Sequence, residues 1–294
     1  MELVVRELEG EAFGAEVRGW DPGEDLDDET RRRIDSALAE HILLVFRGHR
    51  QPNDQELISF AARFGDLFDG GELFGMDSPT TEILQLTSER DGQGVETGPS
   101  AVTPLPWHTD YSYLVRGAKM SFLNALHLPP DGGGETWFAN LYDAYETLPE
   151  QTRERISGLV GIHRLGASGQ FMSREEKDQI KATREARSPQ FGYPGHRIPG
   201  LHPAVYAHPD TGRRSLYVNA LVSGFEGIDE PTGRSLVAEL YHHACQEQRI
   251  YKHHWSVGDL VLFDTVGTMH RRDGTDETQT RVMRQMSTLL PALV

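Results

Sequence analysis

The chain has 294 residues, enough to bury a sizeable core in one large domain, and 29 Lys+Arg against 45 Asp+Glu leave it at −16 at pH 7. That acidity argues against non-specific binding to nucleic acid or to anionic membrane surfaces, and a single cysteine, Cys245, excludes a disulfide framework and any multi-cysteine zinc site. No apolar run reaches the roughly 18 residues of a membrane span, and "MELVVRELEG" lacks the basic-then-apolar pattern of a signal peptide, so the expectation is a cytoplasmic protein with no membrane partner.

Short strands are expected in "LVVREL" and "GAEVRGW", with Gly14 between them. In "DLDDETRRRIDSALAEH", Asp27 or Asp28 can cap a helix with acids in its first turn and Ile34, Leu38 and His41 along one side. "ILLVFRG" is an apolar run of strand length closed by Gly48. "NDQELISFAARFG" reads as a second helix: Asn53 and Glu56 have capping-box spacing, Leu57, Phe60, Ala61 and Phe64 form its apolar stripe, and Gly65 is the expected C′ residue. Apart from the strand "EILQLT", residues 66–106 have the Gly, Ser, Thr and Pro content of loops, where binding residues concentrate. They lead into "PLPWHTDYSYL".

Strands follow at "MSFLNALHL" and "TWFAN" around the turn "PPDGGGE", then a helix in "LYDAYETLPEQTRERISGL". Residues 164–202 are basic and punctuated by Gly and Pro, and read as an excursion or lid on one domain spanning residues 1–294. "PAVYAHPDTGRRSLYVNAL" is a hairpin turning at Asp210 and Gly212, and "PTGRSLVAELYHHACQ" is a helix started at Pro231. The C-terminal part is nearly all strand: "IYKHHWSV", "DLVLFDTVGTMH" and "RVMRQMSTLL". Many short strands, with helices confined to the N-terminus and to insertions, predict a mainly β chain: a jelly-roll-like barrel flanked by helices.

Within "PLPWHTDYSYL", His108 and Asp110 stand two apart, which on a strand points both to one face with Thr109 turned away. An imidazole and a carboxylate that converge serve a metal site, an acid/base pair or a hydrogen bond in a polar core, and the pair alone does not choose. An iron oxygenase needs two neutral imidazoles and one carboxylate on one face of an octahedron. Of the 13 histidines, His270 at the end of "LVLFDTVGTMH" is the best third ligand; His242–His243 and His253–His254 are adjacent pairs whose rings point apart, and His202 and His208 flank prolines in loops. Arg281, eleven residues after His270, offers a guanidinium fork for a carboxylate. A metal-only cupin-like hydrolase or isomerase would have no use for that fork, and a binding protein that kept only the fold would not need all three ligands.

The ordered set W-H-T-D, then G-G-x-T, then T-M-H with an arginine eleven residues on, resembles the taurine/2,4-dichlorophenoxyacetate dioxygenase family. "GAEVRGWD", "HILLVFRG", "FAARFGDL", "GGGETWFANLYDAYETLP" and "LHPAVYAHPDTGRRSLYVN" extend the likeness over nearly the whole chain. It implies a double-stranded β-helix core of the jelly-roll or cupin-like kind, carrying an Fe(II)- and 2-oxoglutarate-dependent dioxygenase. By that likeness His108, Asp110 and His270 bind iron, and Thr136 and Arg281 hold the far carboxylate of 2-oxoglutarate while its keto-acid end chelates the metal. O2 is then the oxidant in hydroxylation of a small-molecule substrate, with desaturation or bond cleavage as variants. Halogenating relatives lack the carboxylate ligand, so Asp110 argues against halogenation. The likeness also implies a homo-oligomer, a dimer or larger.

The likeness breaks where taurine-type enzymes hold a substrate anion. Four residues after Arg281 they carry a second arginine; here stands Gln285, and Arg284 beside it should face the other way. Their asparagine before H-x-D and their histidine after the second helix are missing from "TPLPW" and "FDGGELFGMD". The expectation is a substrate other than taurine. Its pocket would be lined by Phe68, Phe74, Tyr111, Tyr113 and Phe138, with Arg284 as a candidate cation and Phe171 or Tyr193 reaching in from the excursion.

Overall fold

Local chemistry starts the two N-terminal helices. Asp27 accepts from the Thr30 N–H (2.7 Å) and opens α1 (Asp28–His41); Asn53 and Glu56 close a reciprocal capping box on α2 (Asp54–Ala62). Helix α2 ends one residue earlier than its pattern implied, with Arg63 as C-cap, so Gly65 lies one residue beyond the C′ position. The computed structural model describes residues 3–71, 80–90, 92, 97–175, 177–178, 199–276 and 278–291.

Two sheets face one another. The larger has seven strands in the order β1 (Val4–Glu7), β2 (Ala15–Arg18), β3 (Leu43–Phe46), β14 (Leu260–Asp264), β6 (Ala118–His127), β16 (Val282–Leu289) and β4 (Leu84–Thr87). The smaller has four: β13 (Ile250–His253), β7 (Thr136–Asn140), β15 (Thr268–Arg272) and β5 (Leu105–His108). Strand alternation sorts their side chains. Leu260 and Leu262 of β14 point outward with Phe46, Phe122 and Met286 and are covered by Ile34 and Leu38 of α1 and Leu57 and Phe60 of α2. Val261 and Phe263 point inward with Leu43, Val45 and Leu123 to meet Phe138 and Tyr251 of the smaller sheet. Each such side chain contributes about 1.5–3 kcal/mol on burial, which ties the barrel shut from both faces.

The outer face of the smaller sheet is covered in turn by α3 (Leu141–Glu146), α4 (Glu150–Ile156) and α5 (Glu230–Ala244), with Leu141, Leu236, Val237 and Leu240 against Ala139 and Met269. The single helix expected in "LYDAYETLPEQTRERISGL" is two. Pro149 restricts Leu148 and offers no N–H to continue α3, so it instead stands as the N-cap of α4.

A second expectation also divides. "DLVLFDTVGTMH" is two strands in different sheets, β14 ending at Asp264 and β15 beginning at Thr268. The Asp264 carboxylate makes the corner: Oδ1 accepts from the N–H groups of Val266 (2.8 Å) and Gly267 (3.0 Å), and Oδ2 accepts from the Tyr142 hydroxyl (2.5 Å). Only glycine fits at 267, where a Cβ would stand 2.2 Å from the Tyr142 ring. This corner carries the chain from the larger sheet to the smaller and sets His270 on the inner side. Between the barrel and α5, β8 (Val160–His163) pairs with both β9 (Gly200–Pro203) and β12 (Val222–Phe225), while β10 (Val205–Ala207) and β11 (Arg214–Leu216) form the expected hairpin. The excursion therefore opens and closes on the paired strands β8 and β9; most of it, residues 179–198 with Tyr193, lies outside the described residues. His202 sits within β9, buried, rather than in a loop.

Candidate active site

His108 ends β5 and His270 lies in the middle of β15, and the two are Cα partners across that antiparallel pair. Their rings are 4.2 Å apart between centroids. Asp110 does not share the strand as expected: β5 stops at His108 and the chain enters a turn closed by Ser112 N–H to Thr109 O and Leu114 N–H to Tyr111 O. The turn still brings the carboxylate to the same point. Asp110 Oδ1 is 3.6 Å from His108 Nε2 and 3.9 Å from His270 Nε2. Its Oδ2 accepts from the Ser121 hydroxyl (2.7 Å), which in turn meets the Ser287 hydroxyl (2.8 Å). The ligand atoms of His108, Asp110 and His270 all lie within 4.8 Å of one another.

The protonation states suit a divalent cation. His108 Nδ1 is 2.8 Å from the Pro106 carbonyl, which can only accept, so Nδ1 is the donor there and Nε2 is the nitrogen that faces inward. Burial, aided by the His108 ring, pushes His270 down to about 3 against the opposing pull of Asp110. Burial alone would raise Asp110; the His270 and His108 rings and the Ser121 hydroxyl outweigh it and hold that carboxyl at about 2. At neutral pH the trio is one carboxylate beside a neutral His270.

Burial likewise holds His163, His202 and His253 below the ordinary histidine range. Groups whose folded pKa is depressed contribute stability that is complete above the unfolded value near 6.5 and is lost as pH falls below it, at most about 1.4 kcal/mol per pH unit each. The urea midpoint of the metal-free chain will therefore drop between pH 7 and pH 5. A level or rising midpoint across that window would contradict the neutral, buried state of these rings.

Near the trio lies a buried cation. Arg281 is 1% exposed; Nη1 donates to Ala101 O (3.2 Å) and Nη2 to Gly134 O (3.0 Å), while Nε has no partner. Among the described residues no carboxylate is within ion-pair distance of it, and burial pulls its pKa down to about 10. Gly134, at φ +69°, makes room for the guanidinium: a Cβ there would stand 2.8 Å from Nε. Thr136, two residues on, is buried and accepts from the Trp255 indole N–H (3.0 Å). The bond to Gly134 O ties the cation to the chain entering β7, where Thr136 pairs with Arg272 of β15 and Phe138 with His270. An acceptor-rich anion with one end at Arg281 and the other at the trio fits this arrangement.

The pattern of the family described as "Taurine catabolism dioxygenase TauD, TfdA family" matches residues 5–287. The chain belongs to that family. Pentalenolactone F synthase of Streptomyces avermitilis is 32% identical over 286 residues, covering 97% of this chain and 94% of that protein. The alpha-ketoglutarate-dependent 2,4-dichlorophenoxyacetate dioxygenase of Cupriavidus pinatubonensis is 32% identical over 291 residues, 96% of each chain. The crystal structure of AAD-2 in complex with Mn(II) and N-oxalylglycine superposes with a TM-score of 0.74 at 28% identity, covering 100% of both chains. This member of the family is an Fe(II)- and 2-oxoglutarate-dependent dioxygenase on a double-stranded β-helix, and its substrates are small organic molecules.

In this TauD/TfdA-family chain the expected wall residues do not stay together. Phe68 stacks on Tyr111 (4.1 Å, 20°), and Tyr113 meets Tyr111 edge-on (6.3 Å), in a cluster with Leu84 and Leu221 beside Asp110. Tyr111 has φ 54°, a left-handed conformation that costs of order 1–3 kcal/mol for a non-glycine residue and that clusters at functional sites. Phe138 is wholly buried and backs His270 (5.8 Å, 25°), so it fixes a ligand rather than lining a mouth, and Phe171 stacks on Tyr241 of α5 (3.9 Å) on the outer face. Phe74 lies outside the described residues. Arg284 is not in the pocket: it faces the helices, donating to Asp54 (2.5 Å), Pro52 O (2.7 Å) and Asn124 (2.6 Å). Gln285 shares the inner face of β16 with Ser287. The sequence reading missed Ser121, Ser287 and Trp255; polar residues inside the apolar runs "MSFLNAL" and "QMSTLL" were the available signal for the two serines.

Proposed function

We propose that His108, Asp110 and His270 hold the iron(II), that Arg281 and Thr136 grip the far carboxylate of 2-oxoglutarate, and that the chain hydroxylates a bulky, largely apolar molecule seated against Phe68, Tyr111 and Tyr113. The observation that carries this reading is the buried Arg281, with an unpartnered Nε and, among the described residues, no carboxylate within ion-pair distance, tied through Gly134 O to the chain entering β7, the strand that pairs with His270's β15. When bound, iron(II) and 2-oxoglutarate supply an O2-driven oxidation that converts the cosubstrate to succinate and CO2 and places oxygen in a substrate C–H bond.

The chain's own residues do the positioning. His108 and His270 present Nε2, and Ser121 ties down the second oxygen of Asp110 so that the first stays aimed between the rings. Arg281 and Thr136 set the cosubstrate's angle of approach. The stacked Phe68–Tyr111 pair keeps water from the substrate side. The retained Asp110 supports oxygenation rather than halogenation.

Taurine does not fit this pocket. Its anion would need a cation where the neutral Gln285 stands, and Arg284 is already bound by Asp54 and Asn124 on the opposite face. The names of the relatives, a pentalenolactone F synthase and a 2,4-dichlorophenoxyacetate dioxygenase, support a ring-bearing substrate. The same reading carries a single domain, which the lack of a linker supports, a homo-oligomer, which family likeness supports, and a cytoplasmic location. The acidic charge of −16 gives nucleic acid no electrostatic footing, and no helix among the described residues is long and apolar enough to cross a membrane.

Anaerobic titration with Fe(II) and then 2-oxoglutarate tests the proposal. A weak visible charge-transfer band will develop only after both are added. If iron binds and no band follows, the cosubstrate assignment falls and a metal-only hydrolase or isomerase replaces it.

A further inference from the structure

The Thr136 hydroxyl has one proton and two lone pairs, and an indole N–H can only donate. The 3.0 Å bond from Trp255 Nε1 therefore makes Thr136 Oγ1 the acceptor, and the hydroxyl's own proton must be directed elsewhere. Thr136 is 3% exposed, so bulk water is a poor outlet, and among the described residues no protein acceptor for that proton is found. Arg281 Nε–H is a second buried donor without an acceptor. Both border the segment 134–136, since Gly134 O receives Arg281 Nη2. Two donors short of an acceptor on one three-residue segment call for a group that only accepts, which is the description of a carboxylate.

The indole is itself held in place. Tyr251 and His253 share one face of β13, and the ring of Trp255, two residues past its end, stands edge-on to His253 (4.4 Å, 83°). His253 sits between the Tyr251 hydroxyl (2.7 Å) and Asp259 Oδ2 (3.1 Å), and Arg47 grips both Asp259 oxygens at 2.9 Å. His253 is the Cα partner of Thr136 at the end of the β13–β7 pair, and Trp255 follows two residues beyond that end.

We infer that Trp255 is a positioning residue for the cosubstrate: by donating into Thr136 Oγ1 it turns the Thr136 proton toward the carboxylate that Arg281 binds. This rests on the reading that Arg281 and Thr136 form the 2-oxoglutarate grip, and goes beyond it in assigning the orientation of the hydroxyl to a third residue. Trp255 does not touch the cosubstrate; it acts through Thr136.

The test is a double-mutant cycle read by calorimetric binding of 2-oxoglutarate to the Fe(II)-loaded protein under argon. Trp255→Phe keeps an aromatic ring and deletes the N–H, and will weaken binding about fivefold, the scale of one oriented hydrogen bond. Thr136→Val will weaken it about tenfold. The double variant will match Thr136→Val alone, because without the hydroxyl the indole has nothing to orient. Losses that multiply instead, or a Trp255→Phe protein that binds like wild type, would overturn the inference. A Thr136→Val protein that binds like wild type would overturn the grip itself, and the inference with it.

A second measurement does not depend on the Trp255 variant folding. In the Zn(II)-substituted protein labelled with 15N-tryptophan, four indole signals are expected. The signal that shifts in Thr136→Val must be the one that moves when 2-oxoglutarate is added to wild type. If it stays still, Trp255 does not report on the carboxylate and the assignment is wrong.

Discussion

Asp110→Asn will leave the chain folded and reduce substrate-linked 2-oxoglutarate turnover by a factor on the order of 10³ or more, since loss of a ligand must exceed the 10–100-fold that loss of an outer partner costs. Asparagine keeps the shape of the side chain and its contact with Ser121. It removes the one negative charge among the three ligands and points either a neutral oxygen or an N–H₂ at two imidazoles 3.6 and 3.9 Å away. Because Asp110 is held at about 2 by those rings and by Ser121, its charge is present at every working pH, so no change of buffer will restore the variant. The depressed carboxyl contributes some stability to the metal-free chain, so the variant's urea midpoint will fall modestly, while the retained shape and Ser121 contact keep it folded. Ser121→Ala supplies the scale, with an expected 10–100-fold loss of Fe(II) affinity and a carboxylate still in place. Succinate release and Fe(II) affinity measured on both variants decide the matter. An Asp110→Asn enzyme within tenfold of wild type would remove this carboxylate from the ligand set.

Sequence pattern carried a reader far toward this site, by reasoning that was partly right for the wrong geometry. Asp27 and the Asn53–Glu56 pair are local chemistry, visible because a cap needs only its own neighbours. His108 and Asp110 were placed together by strand alternation, yet Asp110 stands in a turn; where β5 ends depends on its register with β15, which shifts between His270 and Arg272. "LVLFDTVGTMH" looked like one strand because its apolar character continues through the corner, and only Asp264 followed three residues later by Gly267 hinted at the break. Alternation did place Arg284 on the face opposite Gln285, but nothing local shows that Asp54 and Asn124 occupy it. Phe138 and Tyr111 illustrate the same limit. Both are aromatic and near the trio, and only the packing of two sheets makes one the backing of His270 and the other a buried turn residue stacked on Phe68.

Arg281 permits the sharpest separation of binding from folding. Arg281→Met will weaken 2-oxoglutarate binding by on the order of 10²-fold or more, because a charge-assisted bidentate grip in a dry pocket is worth roughly 2–5 kcal/mol when one side is removed. Fe(II) affinity without the cosubstrate will hardly change, since Arg281 touches none of the three ligands. The effect on stability has the unusual sign. A fully buried arginine that served one half of a structural ion pair would cost about 3–5 kcal/mol to remove. This one has no carboxylate partner among the described residues and, at about 10, remains charged at neutral pH while shielded from water. Methionine relieves that burden and fills most of the same volume; against it stand only the two carbonyls of Ala101 and Gly134 that lose a donor. The two effects offset, and the metal-free variant will unfold within about 1 kcal/mol of wild type. Wild type at 100 times its dissociation constant gains about 2.7 kcal/mol from the ligand, and the variant at the same concentration gains almost nothing. Urea unfolding with and without 2-oxoglutarate reads both quantities at once. A metal-free variant destabilised by 3 kcal/mol or more would make Arg281 a structural residue; one that still gains the full ligand stabilisation would move the carboxylate grip elsewhere.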